Sequence, residues 1–240
     1  MARVDVVLLP EHLNERQIET DTLIVVDVLR ASTTIVAALD AGASSVVPMR
    51  DVDDARAYAL QNPEAMLCGE RGGLPPDGFT LGNSPLEYTS DVVGGRELVL
   101  STTNGTRALA MVSASSTVLI GAVTNRDAVC ERAVQDGDVT IVCAGTLGEV
   151  SLDDCLAAGA MVNRMVELGH KTSETALLVA QGTNSLIHDH GSIERALRST
   201  LHGRRLINLG LDADIEYAAR IDSSSVVPQY DPRSNRLIGG

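Results

Sequence analysis

The sequence has very few aromatic residues: they make up 2% of its 240 residues, Trp is absent, and the single Phe is Phe79. A core must therefore be built from Val, Leu, Ile and Ala, which suits sheets covered by helices on both faces. Basic clusters are also missing, since the formal net charge is −13 and the longest Lys/Arg run is Arg204-Arg205. Nucleic-acid surfaces combine basic and aromatic side chains, so we expect no nucleic-acid partner.

Other signatures are absent as well. The four cysteines lack the paired spacing of a zinc site, which predicts reduced thiols in a cytoplasmic protein. No apolar run approaches the ~20 residues of a membrane span, and the opening MARVDVVLLPEH predicts a first strand rather than a signal peptide. We therefore expect no membrane partner. Walker A and Gly-x-Gly-x-x-Gly loops are missing, and Glu149 stands where a Cys143-based phosphatase would need Arg.

Aliphatic runs alternate with Ala-rich helical runs over residues 20–145. This alternation predicts an α/β fold, a three-layer sandwich with a largely parallel or mixed sheet and a more helical C-terminal part. The predicted strands are 4–9, 23–28, 45–49, 65–68, 97–101, 117–121, 138–143 and 226–228. The predicted helices are 33–41, 51–61, 105–113, 126–136, 151–168, 173–187 and 193–201. We expect one structural unit over 1–240, with two closely packed halves meeting near 91–96 as the alternative.

Three strand ends share one pattern, in LIVVDVLRASTTIVAAL, LVLSTTNGTRALA and TIVCAGTLGEVSLDDCLAAGA. Each passes from an aliphatic strand through Gly, Ser or Thr into a helix, where free backbone N–H groups and the helix dipole favour an anion. Right-handed crossovers would place the strand ends at one edge of the sheet. The alternative reading is that each Ser or Thr is an N-cap. The predicted anion donors are Ser32, Thr33, Thr34, Thr102, Thr103, Asn104, Gly105, Thr106, Gly145 and Thr146.

Asp27 ends one of these aliphatic strands. A carboxylate there needs a metal, an arginine or several N–H donors, because an unpaired buried charge is costly. One reading is an Asp27–Arg30 pair that shapes the turn, and the other is a magnesium ligand or nucleophile. Mg²⁺ takes one or two protein carboxylates, and Asp27 with Glu70 would serve. Asp153 and Asp154 open a helix, where they either complement its dipole or act in catalysis.

A Gly- and Pro-rich loop over residues 69–88 interrupts the alternation. Loops of this length in compact domains are usually functional or disordered, and the charged Glu70 and Arg71 favour function. Arg71 stands beside Gly72 in Gly-Glu-Arg-Gly-Gly, and the glycines leave its guanidinium room to grip an oxyanion. Arg71 is therefore the first candidate for an anion clamp, followed by Arg30 and Arg107.

Taken together, these motifs resemble the 2-phosphosulfolactate phosphatase family. The resemblance spans nearly the whole chain and has a C-terminal part in Asn208-Leu209-Gly210 and Val227-Pro228. Its five ordered blocks are Asp27-Val28-Leu29-Arg30-Ala31-Ser32-Thr33-Thr34, Gly69-Glu70-Arg71-Gly72-Gly73, Gly82-Asn83-Ser84-Pro85-Leu86-Glu87, Thr102-Thr103-Asn104-Gly105-Thr106, and Cys143-Ala144-Gly145-Thr146 with Ser151-Leu152-Asp153-Asp154.

The resemblance implies an α/β enzyme that uses Mg²⁺ to hydrolyse 2-phosphosulfolactate, or a related small phosphorylated acid, to sulfolactate and phosphate on the route to coenzyme M. On this hypothesis Asp27, Glu70 and Asp154 are catalytic, and Asp27 and Glu70 hold the metal. Ser32–Thr34 and Thr102–Thr106 hold the phosphate, while Arg30 and Arg71 grip the acid half. The identity of the nucleophile, water or a carboxylate, stays open, and so does assembly into a homo-oligomer. The rival hypothesis is a non-catalytic binding protein for phosphorylated metabolites.

Overall fold

The computed structural model describes residues 2–112 and 117–240. Its strands are β1 (Arg3–Val7), β2 (Thr22–Val26), β3 (Ser45–Pro48), β4 (Met66–Gly69), β5 (Glu97–Ser101), β6 (Thr117–Ile120), β7 (Val139–Cys143), β8 (Lys171–Thr172), β9 (Pro228–Asp231) and β10 (Arg236–Gly239). Its helices are α1 (Glu15–Ile18), α2 (Ala31–Asp40), α3 (Val52–Gln61), α4 (Ser90–Val93), α5 (Gly105–Val112), α6 (Arg126–Ala133), α7 (Leu152–Glu167), α8 (Glu174–His190), α9 (Ile193–Ser199), α10 (Leu201–Asn208) and α11 (Asp212–Ala218). The predicted end of α5, Ser113, lies outside the described residues.

Within the described ranges the strands form one mixed sheet in the order β4-β5-β3-β10-β9-β6-β2-β7-β1-β8. The α/β prediction with a mixed sheet and a helical C-terminal part is confirmed. The terminal hairpin β9–β10 joins two parallel groups, because β10 pairs with β3 and β9 pairs with β6, both antiparallel. The predicted strand at 226–228 covers only the start of this hairpin, whose four-residue strands carry too weak an alternation to be read locally. The boundary near 91–96 stays a prediction.

The aliphatic core lies on both faces of the sheet, as the composition predicts. All five residues of β2 are buried; Leu23 and Val25 pack into one hydrophobic cluster, whereas Ile24 and Val26 pack into another. This division arises because successive side chains of a strand point to opposite faces of the sheet. None of the helices in the described ranges is both long and apolar enough to cross a bilayer.

The hairpin overturns one detail of the expected topology. Three successive antiparallel pairings separate β3 from β6, so the two parallel groups run in opposite directions and their strand ends do not share one sheet edge. Helix α2 is buried from Ala31 to Leu39 and packs against strands on both sides of the junction, including β3, β6, β9 and β10. The loops that follow β2, β4, β5 and β7 nevertheless meet at the N-terminal end of α2, and this meeting point holds the site.

Candidate active site

A cavity of about 140 Å³ opens where these loops meet helix α10. It is lined by eight residues named from the sequence: Asp27, Arg30, Glu70, Gly72, Thr102, Thr103, Asn104 and Thr146. Sequence reasoning did not select the other polar lining residues, Asn83, His202 and Arg205. The loop at 69–88 supplies Glu70, Gly72 and Asn83, which is the placement its length and composition predicted.

Asp27 is held at the end of β2 by reciprocal bonds with the first turn of α2. The backbone N–H of Asp27 donates to Ser32 Oγ (2.8 Å), and the N–H of Ser32 donates to the Asp27 carbonyl (2.8 Å). Only 6% of the residue is exposed. Burial raises the pKa of Asp27 to about 7, and the negative charges of Asp153 and Glu70 add to this, whereas the N–H groups of Ala31 and Gly105 oppose it. Asp27 is thus a carboxyl that would gain strongly from a nearby cation.

Glu70 is bound by backbone on two sides. Its Oε1 accepts the N–H of Thr103 (2.8 Å) and its Oε2 accepts the N–H of Gly73 (2.8 Å). Burial acts to raise the pKa of Glu70, but these N–H groups, the Thr103 hydroxyl and the charge of Arg30 outweigh it, so the pKa lies below its ordinary value. Glu70 is therefore anionic, and it ties the loop after β4 to the loop after β5.

The pair Asp27 and Glu70 fits a magnesium ion better than a metal held by protein alone. The negative charge of Glu70 raises the pKa of Asp27. A cation between the two carboxylates would relieve this repulsion. Among the residues described, no group of three or more His, Cys, Asp or Glu side chains converges on one point. Mg²⁺ ordinarily uses one or two carboxylates and completes its shell with water and phosphate oxygens.

Asp154 does not reach the cavity. Its Oδ1 accepts the N–H of Val28 (3.0 Å) and its Oδ2 accepts the N–H of Gly145 (3.0 Å). Burial raises its pKa well above the ordinary value, with the charges of Asp153 and Asp27 adding to the effect. The structure places this carboxylate behind the cavity, where it fastens the loop after β2 to the loop after β7. The catalytic role predicted for Asp154 stays a prediction, and its observed contacts are those of a residue that positions two loops.

The neighbouring Asp153 lies beside His202, which lines the cavity. Its Oδ1 accepts from Ser151 Oγ (2.7 Å), and its Oδ2 lies 3.7 Å from Nδ1 of His202. His202 belongs to α10, which follows the last predicted helix, and no local motif marks it. Only the repeated Asp-Asp at the start of α7 gave a signal for this pair in the sequence.

The arginines are arranged differently from the prediction. Arg30 lines the cavity but pairs with Asp214 of α11 (Nη1 to Oδ2, 2.6 Å) instead of Asp27, and its Nη2 donates to the Gly73 carbonyl (2.7 Å). Asp214 in turn accepts from Ser84 Oγ (2.5 Å). This buried network fixes Arg30 from residues that are distant in sequence.

Arg71, the first candidate for an anion clamp, does not line this cavity. Its guanidinium donates to the carbonyls of Glu70, Ser101 and Arg50 and to Ser101 Oγ. Its role is to fasten the loop after β4 to the end of β5. Arg107, the third candidate, pairs with Glu11 at 2.6 Å. Arg205 is the cation that the sequence missed: it lines the cavity and forms no ion pair with any described residue.

The hydroxyl residues divide into two sets. Thr102, Thr103 and Thr146 line the cavity, as does Asn104. By contrast, the hydroxyl groups of Thr33 and Thr34 donate to the carbonyls of Val28 (2.7 Å) and Asn83 (2.9 Å). The hydroxyls of Ser32, Thr33, Thr34 and Thr106 bond to the backbone inside the fold, and the phosphate contacts predicted for these residues stay a prediction.

Two further residues shape the cavity. Gly105 allows α5 to touch Asp27, since a Cβ there would lie 2.9 Å from Asp27 Oδ2 and 2.7 Å from the Ala31 Cβ. Asn83 is only 4% exposed, and its Oδ1 is buried without a hydrogen-bond partner among the described residues. Buried polar atoms are rarely left unpaired, so the Asn83 amide is available to a ligand.

Comparisons with known proteins show the family of this chain. The sequence profile of the family described as 2-phosphosulpholactate phosphatase matches residues 7–233. Three relatives are each named "probable 2-phosphosulfolactate phosphatase". The protein from Clostridium acetobutylicum is 38% identical over 95% of this chain and 97% of its own length. Those from Synechococcus and Deinococcus radiodurans are 43% and 39% identical, covering 90% and 88% of this chain and 92% and 88% of their own lengths. The resemblance found in the sequence blocks is confirmed.

Proposed function

The chain belongs to the 2-phosphosulfolactate phosphatase family, and we propose that it is a Mg²⁺-dependent enzyme that hydrolyses 2-phosphosulfolactate, or a related small phosphorylated hydroxy acid, to the hydroxy acid and inorganic phosphate. The observation that carries the proposal is the composition of one cavity. Two carboxylates, Asp27 and Glu70, share it with two arginines, Arg30 and Arg205, and with the unpaired amide oxygen of Asn83. Such a site suits a cation together with an anionic ester.

The carboxylates are the groups that would hold Mg²⁺. When bound there, the ion would neutralise charge on phosphate oxygens as the phosphorus–oxygen bond breaks. Asp27 enters the site with its backbone already fixed by Ser32, and Glu70 is fixed by two N–H groups. Both therefore need little reorganisation on binding a cation, which is the arrangement that electrostatic catalysis favours.

The substrate's two anionic ends have separate partners in this proposal. Thr102, Thr103 and Asn104 line the cavity just before the N-terminus of α5, so these residues and the positive end of the helix dipole would favour the phosphate there. Arg205 and the anchored Arg30 would bind the carboxylate or sulfonate. Because Arg30 is already paired with Asp214, Arg205 carries the larger uncompensated charge.

The test is phosphate release from a panel of small phosphorylated hydroxy acids, 2-phosphosulfolactate among them, with Mg²⁺ and with EDTA. We expect release only with the metal. The rival function, a non-catalytic binder, predicts calorimetric binding of the same compounds without release under either condition. Product formation without free phosphate would point instead to a phosphotransferase or isomerase.

Asp27→Asn gives the first mutational prediction. The variant keeps the size of the side chain but loses its charge, so we expect kcat/KM to fall at least ~100-fold with the fold retained by circular dichroism. Asp54→Asn, an exposed carboxylate of α3, is the matched control and should be unchanged. Near-normal activity of the Asp27 variant with Mg²⁺ would remove Asp27 from the site's chemistry.

A further inference from the structure

His202 lines the cavity and has a carboxylate near one of its two ring nitrogens. Its Nδ1 lies 3.7 Å from Asp153 Oδ2, and Asp153 is itself fixed by Ser151 Oγ at 2.7 Å. Ser151 Oγ is in turn 3.1 Å from Thr146 Oγ1, which belongs to another lining residue of the cavity. A carboxylate at Nδ1 orients an imidazole and leaves Nε2 to exchange a proton with a ligand. No described protein group takes Nε2 as a partner.

The charges around His202 come from four elements. Burial lowers its pKa, and the positive charges of Arg30 and Arg205 lower it further, while Asp153 and Glu70 act to raise it. The two arginines are the groups that an anionic substrate would neutralise. Binding of the substrate would therefore cancel the contribution of the arginines and favour the protonated imidazole at the moment when a proton is needed.

The other titratable groups that line the cavity have different tasks. Asp27 and Glu70 are assigned to the cation, and Arg30 and Arg205 are assigned to the acid group of the substrate. His202 is thus the remaining lining side chain that exchanges a proton near neutrality. An alkyl phosphate needs such a group, because the departing alkoxide is strongly basic and carries much of the charge in a loose transition state.

Resting on the proposed phosphatase function, we propose that His202 is the catalytic acid that protonates the leaving oxygen and that Asp153 is its positioning residue. The phosphorus–oxygen bond to the hydroxy acid breaks, its electron pair goes to the alkyl oxygen, and that oxygen takes the proton from Nε2. The water consumed adds to phosphorus to give dihydrogen phosphate, which returns one proton to the imidazole. The products are the hydroxy acid and monohydrogen phosphate, with the enzyme restored.

The test compares leaving groups. His202→Asn should lower kcat/KM for 2-phosphosulfolactate about 10²–10⁴-fold, the usual contribution of acid–base catalysis. The variant should also lower the rate for phenyl phosphate. For 4-nitrophenyl phosphate the loss should be smaller, less than about tenfold, because its phenolate departs without a proton. Equal losses for both aryl esters, or no loss for any ester, would overturn the proposal. His202→Gln provides a second variant if the first fails to fold.

Two more variants separate catalysis from folding. Asp153→Asn should give the same leaving-group pattern with a smaller loss and a displaced pH profile of kcat, which a purely structural role would not produce. His188→Asn, exposed on α8, is the control and should match wild type. If wild type releases phosphate from no ester, the proposed function fails and this inference falls with it. If wild type is active and His202→Asn equals it, only the inference fails.

Discussion

The tripeptide Ser-Thr-Thr occurs twice, at residues 32–34 and 101–103, and the two copies have opposite surroundings. In the first copy the three hydroxyls bond to the backbone of Asp27, Val28 and Asn83, and none lines the cavity. In the second copy Thr102 and Thr103 line the cavity. Identical residues after two aliphatic strands thus bond only within the fold in the first copy, whereas two of the three residues line the cavity in the second.

The cause is the position of the helix start. Helix α2 begins at Ala31, so the first copy falls inside its first turn and points into the protein. Helix α5 begins at Gly105, so the second copy precedes the helix, and its Thr102 and Thr103 line the cavity. Residues that precede a helix can offer donors to a ligand, whereas residues inside the first turn are drawn into capping and packing.

Asp27 accepts a hydrogen bond from each turn, and its titration gives the test of the comparison with the largest expected effect on stability. Its pKa of about 7, against 3.8 ordinarily, is opposed by one N–H from each turn, Ala31 and Gly105. The native state therefore binds a proton more tightly than the unfolded state, and this group's contribution to stability is complete below pH 3.8 and is lost as the pH rises to about 7. The loss amounts to up to roughly 4 kcal/mol, at about 1.4 kcal/mol per pH unit.

The measurement is urea unfolding of wild type and Asp27→Asn in EDTA between pH 4 and 8. The difference in free energy of unfolding, wild type minus variant, should fall across this window and then level off. The same difference measured for Asp54→Asn should stay flat. A flat curve for Asp27→Asn would mean that its carboxyl is charged throughout the range and that the two turns already stabilise it fully.

Much of this arrangement was within reach of the sequence. The aliphatic strands, the site carboxylates Asp27 and Glu70 and the family could be predicted because they depend on local pattern and on ordered motifs. The hairpin β9–β10, His202 and Arg205 could not, since each depends on long-range packing of the last third of the chain. Arg71 shows the same limit, because flanking glycines indicate room for a guanidinium but not its direction.

Gly105 gives the second test, since it is the point where the second turn touches the first. In Gly105→Ala the added Cβ would meet Asp27 Oδ2 and the Ala31 Cβ at under 3 Å, so α5 must move away from α2. We expect a loss of about 1–3 kcal/mol in the free energy of unfolding together with a loss of activity. Gly148→Ala is the control for added bulk near the site, because a Cβ there meets nothing within 4 Å, although its φ of +83° carries a strain of its own. An unchanged Gly105→Ala enzyme would show that the turns are not coupled through this contact.

The last test separates the two copies directly. Ser32→Ala leaves the buried N–H of Asp27 without its acceptor, so the free energy of unfolding should fall by about 1–3 kcal/mol. Thr103→Val removes a hydroxyl that faces the cavity and Glu70, so stability should change by less than about 0.5 kcal/mol while KM for the phosphorylated acid rises severalfold. Chemical denaturation gives the free energy of unfolding of each variant, and phosphate-release kinetics give the KM of each. If Ser32→Ala changes KM at full stability, or Thr103→Val destabilises the fold at unchanged KM, the helix start does not decide which turn holds the ligand.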